Sequence, residues 1–90
     1  MYYVYILISK KDKRLYIGYT GDLKRRLAEH AKGCVESTKN RRPLEILGYE
    51  AYHSKIDAEN RERYLKSGGK PSNELKLRYQ DSIENILADN

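Results

Sequence analysis

Residues Tyr2 to Ser9, Tyr-Tyr-Val-Tyr-Ile-Leu-Ile-Ser, place aromatic or aliphatic side chains on both faces of an extended chain. A strand of this kind has to be covered on both sides, because either face left in water would expose apolar surface. Tyr3, Tyr5 and Leu7 point one way, and Tyr2, Val4, Ile6 and Ile8 the other. The rest of the chain must therefore supply both a pairing strand and the cover. With 90 residues in all, there is room for one modest core.

Pairing follows at once. Lys10-Lys11-Asp12-Lys13 reads as a four-residue hairpin loop, and Arg14 to Tyr19 as the returning strand. If Ser9 pairs with Arg14, Leu7 lies opposite Tyr16 and Tyr5 opposite Gly18. Tyr5 and Tyr16 then become diagonal neighbours on one face, and a slip of one residue would separate them. Gly18 leaves a gap opposite Tyr5 in which another group can approach the sheet.

After Thr20-Gly21 the pattern changes to a helix from about Asp22 to Lys32, with an acidic start and Gly33 as its stop. Leu23, Leu27, Ala28 and Ala31 form its apolar stripe. Arg26 and His30, four residues apart, share a flanking face that meets the sheet edge, while Lys24 and Arg25 point toward solvent. A strand handing directly to a basic helix suits the gripping of a phosphate.

From Cys34 to Pro43 the chain is polar and basic, and Pro43 pushes Arg42 into an extended conformation. Lys39, Arg41 and Arg42 make this loop either a backbone-contacting arm or a solvated connection. Leu44 to Tyr52 is predicted as a third strand, with Leu44, Ile46 and Gly48 alternating against Glu45, Leu47 and Tyr49. Ser54 caps a second helix, with Asp57 three residues on, and Gly68-Gly69 ends it. Ala58, Glu62 and Leu65 fall at i, i+4 and i+7, so Glu62 lies on the apolar stripe. A carboxylate there needs a partner: Arg26, the neighbourhood of Arg61, or a bound cation. Pro71 and Ser72 open a last helix with Leu75, Tyr79, Ser82, Ile83 and Ile86 on one side, fraying over residues 88–90.

The formal charge of +5 is uneven: 11 basic and 5 acidic residues up to Tyr49, against 7 and 8 beyond it. A basic half favours nucleic acid or an anionic surface, or serves solubility alone. A single cysteine, Cys34, excludes an internal disulfide framework and a multi-cysteine zinc site, and points to the cytosol. The apolar N-terminal run is too short for a signal or spanning segment. All nine aromatic residues are tyrosines, which suits a wet interior edge or a lined groove. The expectation is a soluble cytoplasmic protein with no membrane role and one domain over residues 1–90.

Two tyrosines, an arginine, a histidine and a half-buried carboxylate thus come together, and the chain resembles the GIY-YIG nuclease superfamily over nearly all its length. Tyr3-Val4-Tyr5 stands where that family has Gly-Ile-Tyr, and Tyr16-Ile17-Gly18 matches the second tripeptide. Arg26 takes the place of the family's arginine, and Glu62, in Ala58-Glu59-Asn60-Arg61-Glu62-Arg63-Tyr64-Leu65-Lys66, that of its metal-binding glutamate. His30 and the Thr38 to Pro43 loop are similar to the short single-domain branch, which includes domains like the N-terminal nuclease of the excision-repair protein UvrC. Two departures stand out: Tyr3 replaces the first glycine, and Asn73 falls one residue short of the position of the family's asparagine.

The resemblance implies an α+β fold, a small three-stranded antiparallel sheet flanked by helices, and phosphodiester cleavage in DNA with one divalent ion, Mg²⁺ or Mn²⁺. Glu62 would hold the metal, and Arg26 would pair with the scissile phosphate. Tyr5 would activate water, its pKa lowered by Arg26 and the metal, and Tyr16 would orient it, the two roles being exchangeable. His30 would either take the proton or fix Tyr5 by a hydrogen bond. Lys24, Arg25, Lys39, Arg41 and Arg42 would contact the nucleic-acid backbone. With no accessory homing or repair domain in these 90 residues, cutting would be structure- rather than sequence-directed, in repair or recombination, unless a protein partner supplies specificity. Oligomeric state stays open. The competing readings are a non-catalytic basic nucleic-acid-binding adaptor on the same scaffold, and a tyrosine-rich structural module.

Overall fold

In the computed structural model, which describes residues 1–89, the two-sided run becomes β1 (Tyr2–Ser9), the middle strand of a three-stranded antiparallel sheet. β2 (Leu15–Thr20) and β3 (Leu44–Tyr52) pair on either side, in the order β2-β1-β3. Among the described residues α1 (Leu23–Lys32) lies between β2 and β3, and α2 (Lys55–Leu65), α3 (Lys70–Arg78) and α4 (Gln80–Ala88) follow β3. The fold is α+β. Among the described residues no helix is long and apolar enough to cross a membrane. Of the tail expected to fray, Asp89 lies just past α4, and Asn90 lies outside the described residues.

The hairpin register is the expected one, with Leu7 opposite Tyr16 and Tyr5 opposite Gly18. Ser9 accounts for much of it. Its N–H donates to the Arg14 carbonyl at 3.0 Å, and its buried hydroxyl accepts from the N–H groups of Lys11 and Asp12, each at 3.1 Å. Lys13 takes the left-handed conformation that closes the loop (φ 62°). One face of β1 packs Val4 and Ile6 against Ala58 and Leu65 of α2 and Leu75 of α3. Each of the larger aliphatic side chains contributes about 1.5–3 kcal/mol by burial, so this face anchors the fold. The opposite face, with Tyr5, receives α1, whose Asp22 cap accepts from the Arg25 N–H at 3.1 Å and whose Gly33 stop has φ 79°.

Two expectations need correction. A bulge at Leu47 interrupts β3: Ile6 pairs with Gly48, but Leu7 pairs with Ile46. The extra residue flips the alternation, so Ile46 and Gly48 face opposite sides rather than the same one. The last helix is two helices, broken at Tyr79 (φ −106°, ψ 18°), although the Ile83 N–H still donates to the Tyr79 carbonyl at 2.8 Å. The Tyr79 ring rests on Gly48, where a Cβ would come within 2.6 Å of its hydroxyl. Turning there lets α3 pack on α2 and α4 on β3. The polar loop is partly ordered as a 3₁₀ turn over Lys39–Arg41, and Arg42 after it is extended as Pro43 requires.

Candidate active site

Tyr5 is built into the sheet rather than displayed on it. Only 1% exposed, its ring lies across Gly18, where an added Cβ would stand 2.3 Å from Cζ and from the hydroxyl oxygen. Glycine is thus the one residue that lets the phenol run toward the free edge of β2. There the hydroxyl lies 2.8 Å from Nε2 of His30, and Nδ1 of His30 lies 2.8 Å from Oγ1 of Thr38. His30 (2% exposed) and Thr38 (0%) are buried with it. A neutral imidazole has one donor and one acceptor, and both are engaged whichever tautomer is present.

Tyr16 completes an aromatic cluster and stays half-buried, its ring centroid 5.2 Å from that of His30 and 6.4 Å from that of Tyr5. Ser37 Oγ donates to its hydroxyl in a long 3.4 Å contact. Of the two tyrosines, it is the more open to a reacting molecule.

Arg26 projects from α1 on the side of the Tyr5 hydroxyl, where its positive charge favours phenolate. Burial nonetheless wins and pushes Tyr5 up to about 12. Arg26 pulls Tyr5 down as expected, but burial outweighs it. His30 is held below its ordinary value of 6.5, first by burial and then by Arg26. At neutral pH the buried pair is uncharged.

Glu62 does not pair with Arg26 or near Arg61. Arg26 is taken by Glu29 at 3.2 Å, and Arg61 by Glu50 at 2.9 Å and 3.1 Å. Lys66, one turn along α2, meets the Glu62 carboxylate at 3.0 Å, and the side chain keeps 22% exposure. Its negative charge adds to burial in disfavouring the Tyr5 phenolate.

Among the described residues no three His, Cys, Asp or Glu side chains gather as a chelating set. That excludes a structural zinc site built by protein alone. A lone, partly exposed carboxylate whose only cation in reach is an exposed lysine does fit a hard divalent ion that keeps water and phosphate oxygens as its other ligands.

The five candidate backbone-contacting residues divide. Lys24 and Arg25 are exposed on α1 and form no ion pair among the described residues. Lys39 pairs with Glu36 at 3.0 Å, and Arg42 donates to the carbonyls of Lys39 and Ala31. Arg41 is committed to the scaffold: it meets Asp12 at 2.6 Å and donates to the carbonyls of Arg14 and Leu15, pinning the 3₁₀ turn to the hairpin. That contact holds the Asp12 carboxyl down at about 2. The sequence pattern missed Thr38 and Lys66. Thr38 sits in a polar run that gives no sign of burial, whereas the i, i+4 spacing of Glu62 and Lys66 was a readable signal.

His30 makes stability pH-dependent. Its folded pKa lies below the unfolded one, so as pH falls the unfolded chain takes the proton first. The stabilising contribution is complete above 6.5 and is lost as pH falls from there through the folded value. Urea midpoints are expected to drop between pH 7 and pH 5 in the wild type and to drop less in His30→Gln. Asp12 acts only at lower pH.

Residues 1–76 match the family model described as the GIY-YIG catalytic domain, a span that includes Tyr5, Tyr16, Arg26, His30 and Glu62. The chain is 40% identical over 67 residues to a UPF0213 protein of Clostridium perfringens, covering 73% of this chain and 71% of that one. It is 43% identical over 67 residues to a UPF0213 protein of Natronomonas pharaonis, covering 73% and 78%. The solution NMR structure of a UPF0213 protein from Bacillus halodurans superposes with a TM-score of 0.54 at 35% identity, covering 87% of this chain and 84% of that one.

Proposed function

The chain belongs to the GIY-YIG family, and from that premise we propose that it is a divalent-metal-dependent endonuclease hydrolysing phosphodiester bonds in DNA. The observation that carries this reading is the buried Tyr5–His30–Thr38 chain, with the Tyr16 ring packed on His30 and Arg26 of α1 on the same side.

In this reading Arg26 takes a non-bridging oxygen of the scissile phosphate. Its present partner is a part-exposed i, i+3 carboxylate, a contact of about 0.3–0.5 kcal/mol that a phosphate can replace. Tyr5, protonated at neutral pH, accepts from the Nε2–H of His30, whose Nδ1 accepts from the Thr38 hydroxyl, and is left with its own proton to donate. Tyr16, closer to solvent, accepts a hydrogen bond from the attacking water and takes its proton as its own hydroxyl proton passes to bulk solvent. This exchanges the two roles relative to the sequence-based assignment. Glu62 would hold Mg²⁺ or Mn²⁺ in place of Lys66, and the ion, when bound, offsets charge developing on the leaving oxygen. Lys24 and Arg25 are the exposed cations placed to meet flanking phosphates.

The same reading takes residues 1–90 as one nuclease domain acting in the cytoplasm, directed by DNA shape, in repair or recombination, with any sequence specificity supplied by a partner. The test is incubation of supercoiled and flap DNA with Mg²⁺, Mn²⁺ or a chelator, using wild type and Glu62→Gln. Nicking should require both the metal and Glu62. Absence of cleavage, or equal cleavage by Glu62→Gln, overturns the proposal. Salt-dependent binding without cleavage, unchanged in Glu62→Gln, would favour the adaptor instead.

A further inference from the structure

β2 is an edge strand, and along its face toward α2, α3 and α4, reaching the strand edge at Tyr16, runs a groove of about 780 Å³. The floor is aliphatic: Ile8 from β1, Leu15 and Ile17 from β2, Leu65 from α2, Leu77 from α3 and Ile83 from α4. Leu77, 73% exposed, is the most exposed large apolar side chain among the described residues. The rim is cationic. Lys13 and Arg14 come from the hairpin loop, Lys66 from the end of α2 and Lys76 from α3, against a single carboxylate, Glu84. Lys13, Arg14 and Lys76 form no ion pair among the described residues. The groove is continuous with the candidate active site, because Tyr16 and Lys66 line it and Lys66 holds Glu62 at 3.0 Å.

The occupant must bury apolar faces and present negative charge to the rim. An unpaired nucleic-acid strand does both, with bases on the floor and phosphates against the lysines. A duplex offers the rim its phosphates but keeps its base faces stacked inside. A second copy of this chain would bring an equally cationic rim against the first, which is repulsive. We propose that this groove holds the unpaired nucleotides that adjoin the cut. The substrate is then a junction of duplex and single strand, or a single strand. The proposal takes the position of the cut from the nuclease reading, whereas the ligand of the groove is argued from the groove itself.

Fluorescence anisotropy in chelator, where no cleavage can occur, separates the two. The probes are a short labelled thymidine strand and a blunt duplex. The wild type should bind the single strand at least about ten-fold more tightly than the duplex. Leu77→Ser, an exposed change that spares the core, should weaken single-strand binding about ten-fold and leave duplex binding alone. Lys76→Ala should lower the salt slope for the single strand by about 0.7. Equal affinity for the two probes, or wild-type affinity of both variants for the single strand, overturns the proposal. So does a dimer that Leu77→Ser dissolves with no change in oligonucleotide binding. A wild type that never cleaves but shows the expected affinities fails the nuclease reading alone. A cleaving enzyme whose variants bind unchanged fails the groove alone.

Discussion

Tyr16→Phe is expected to slow metal-dependent cleavage by about 10²–10⁴-fold, the usual worth of a positioned proton acceptor, and to leave stability almost unchanged. Among the described residues its hydroxyl makes only the 3.4 Å contact with Ser37, so little structure depends on it. Tyr5→Phe should behave differently. Removing that hydroxyl leaves a buried imidazole nitrogen without its partner, at about 1–3 kcal/mol. Its effect on rate then comes through the misplacement of neighbours. Single-turnover cleavage and urea unfolding of both variants check this. A Tyr5→Phe enzyme that is inactive but stable, beside an active Tyr16→Phe, would return the proton-accepting role to Tyr5.

Gly18→Ala should damage both fold and activity. The new methyl would stand 2.3 Å from Cζ and the oxygen of Tyr5 and 2.8 Å from Cε2, inside any tolerable contact. A ring that is 1% exposed and tied to His30 has no open space to retreat into. Overpacking of this kind costs about 1–3 kcal/mol. A hydroxyl displaced by about 1 Å from His30 and Arg26 would cost about 10²-fold in rate. Thermal unfolding and cleavage assays would show the two losses together. Wild-type values for both would mean that the Tyr5 ring does not need the space above Gly18.

Much of the scaffold was legible along the chain. The β1–β2 register follows from period-two alternation and a loop of known length, since any slip moves an apolar set into water. The bounds of α1 follow from Asp22 and Gly33, whose cap geometries are local. Ser54 likewise marks the start of α2, accepting from the Asp57 N–H at 3.2 Å. The bulge at Leu47 was hidden because the extra residue is as apolar as its neighbours. The break at Tyr79 was hidden because no glycine or proline marks it and the apolar spacing continues through it. What turns the chain there is a contact with Gly48, 31 positions earlier.

The site divides along the same line. Tyr5, Tyr16, Arg26, His30 and Glu62 are readable as a set, because residue type and spacing place them on particular strands and helix faces. Their partners and protonation are not readable. Whether the pull of Arg26 on Tyr5 prevails depends on how completely β1, β2 and α1 close around the ring, and closure decides for burial. The same holds for Glu62, which meets Lys66 because Glu29 and Glu50 have claimed the arginines. The sequence by itself determined which chemical groups exist and on which elements they ride. Only the tertiary structure decided which are charged and which are paired, because solvation and Coulomb energy depend on neighbours brought from distant elements.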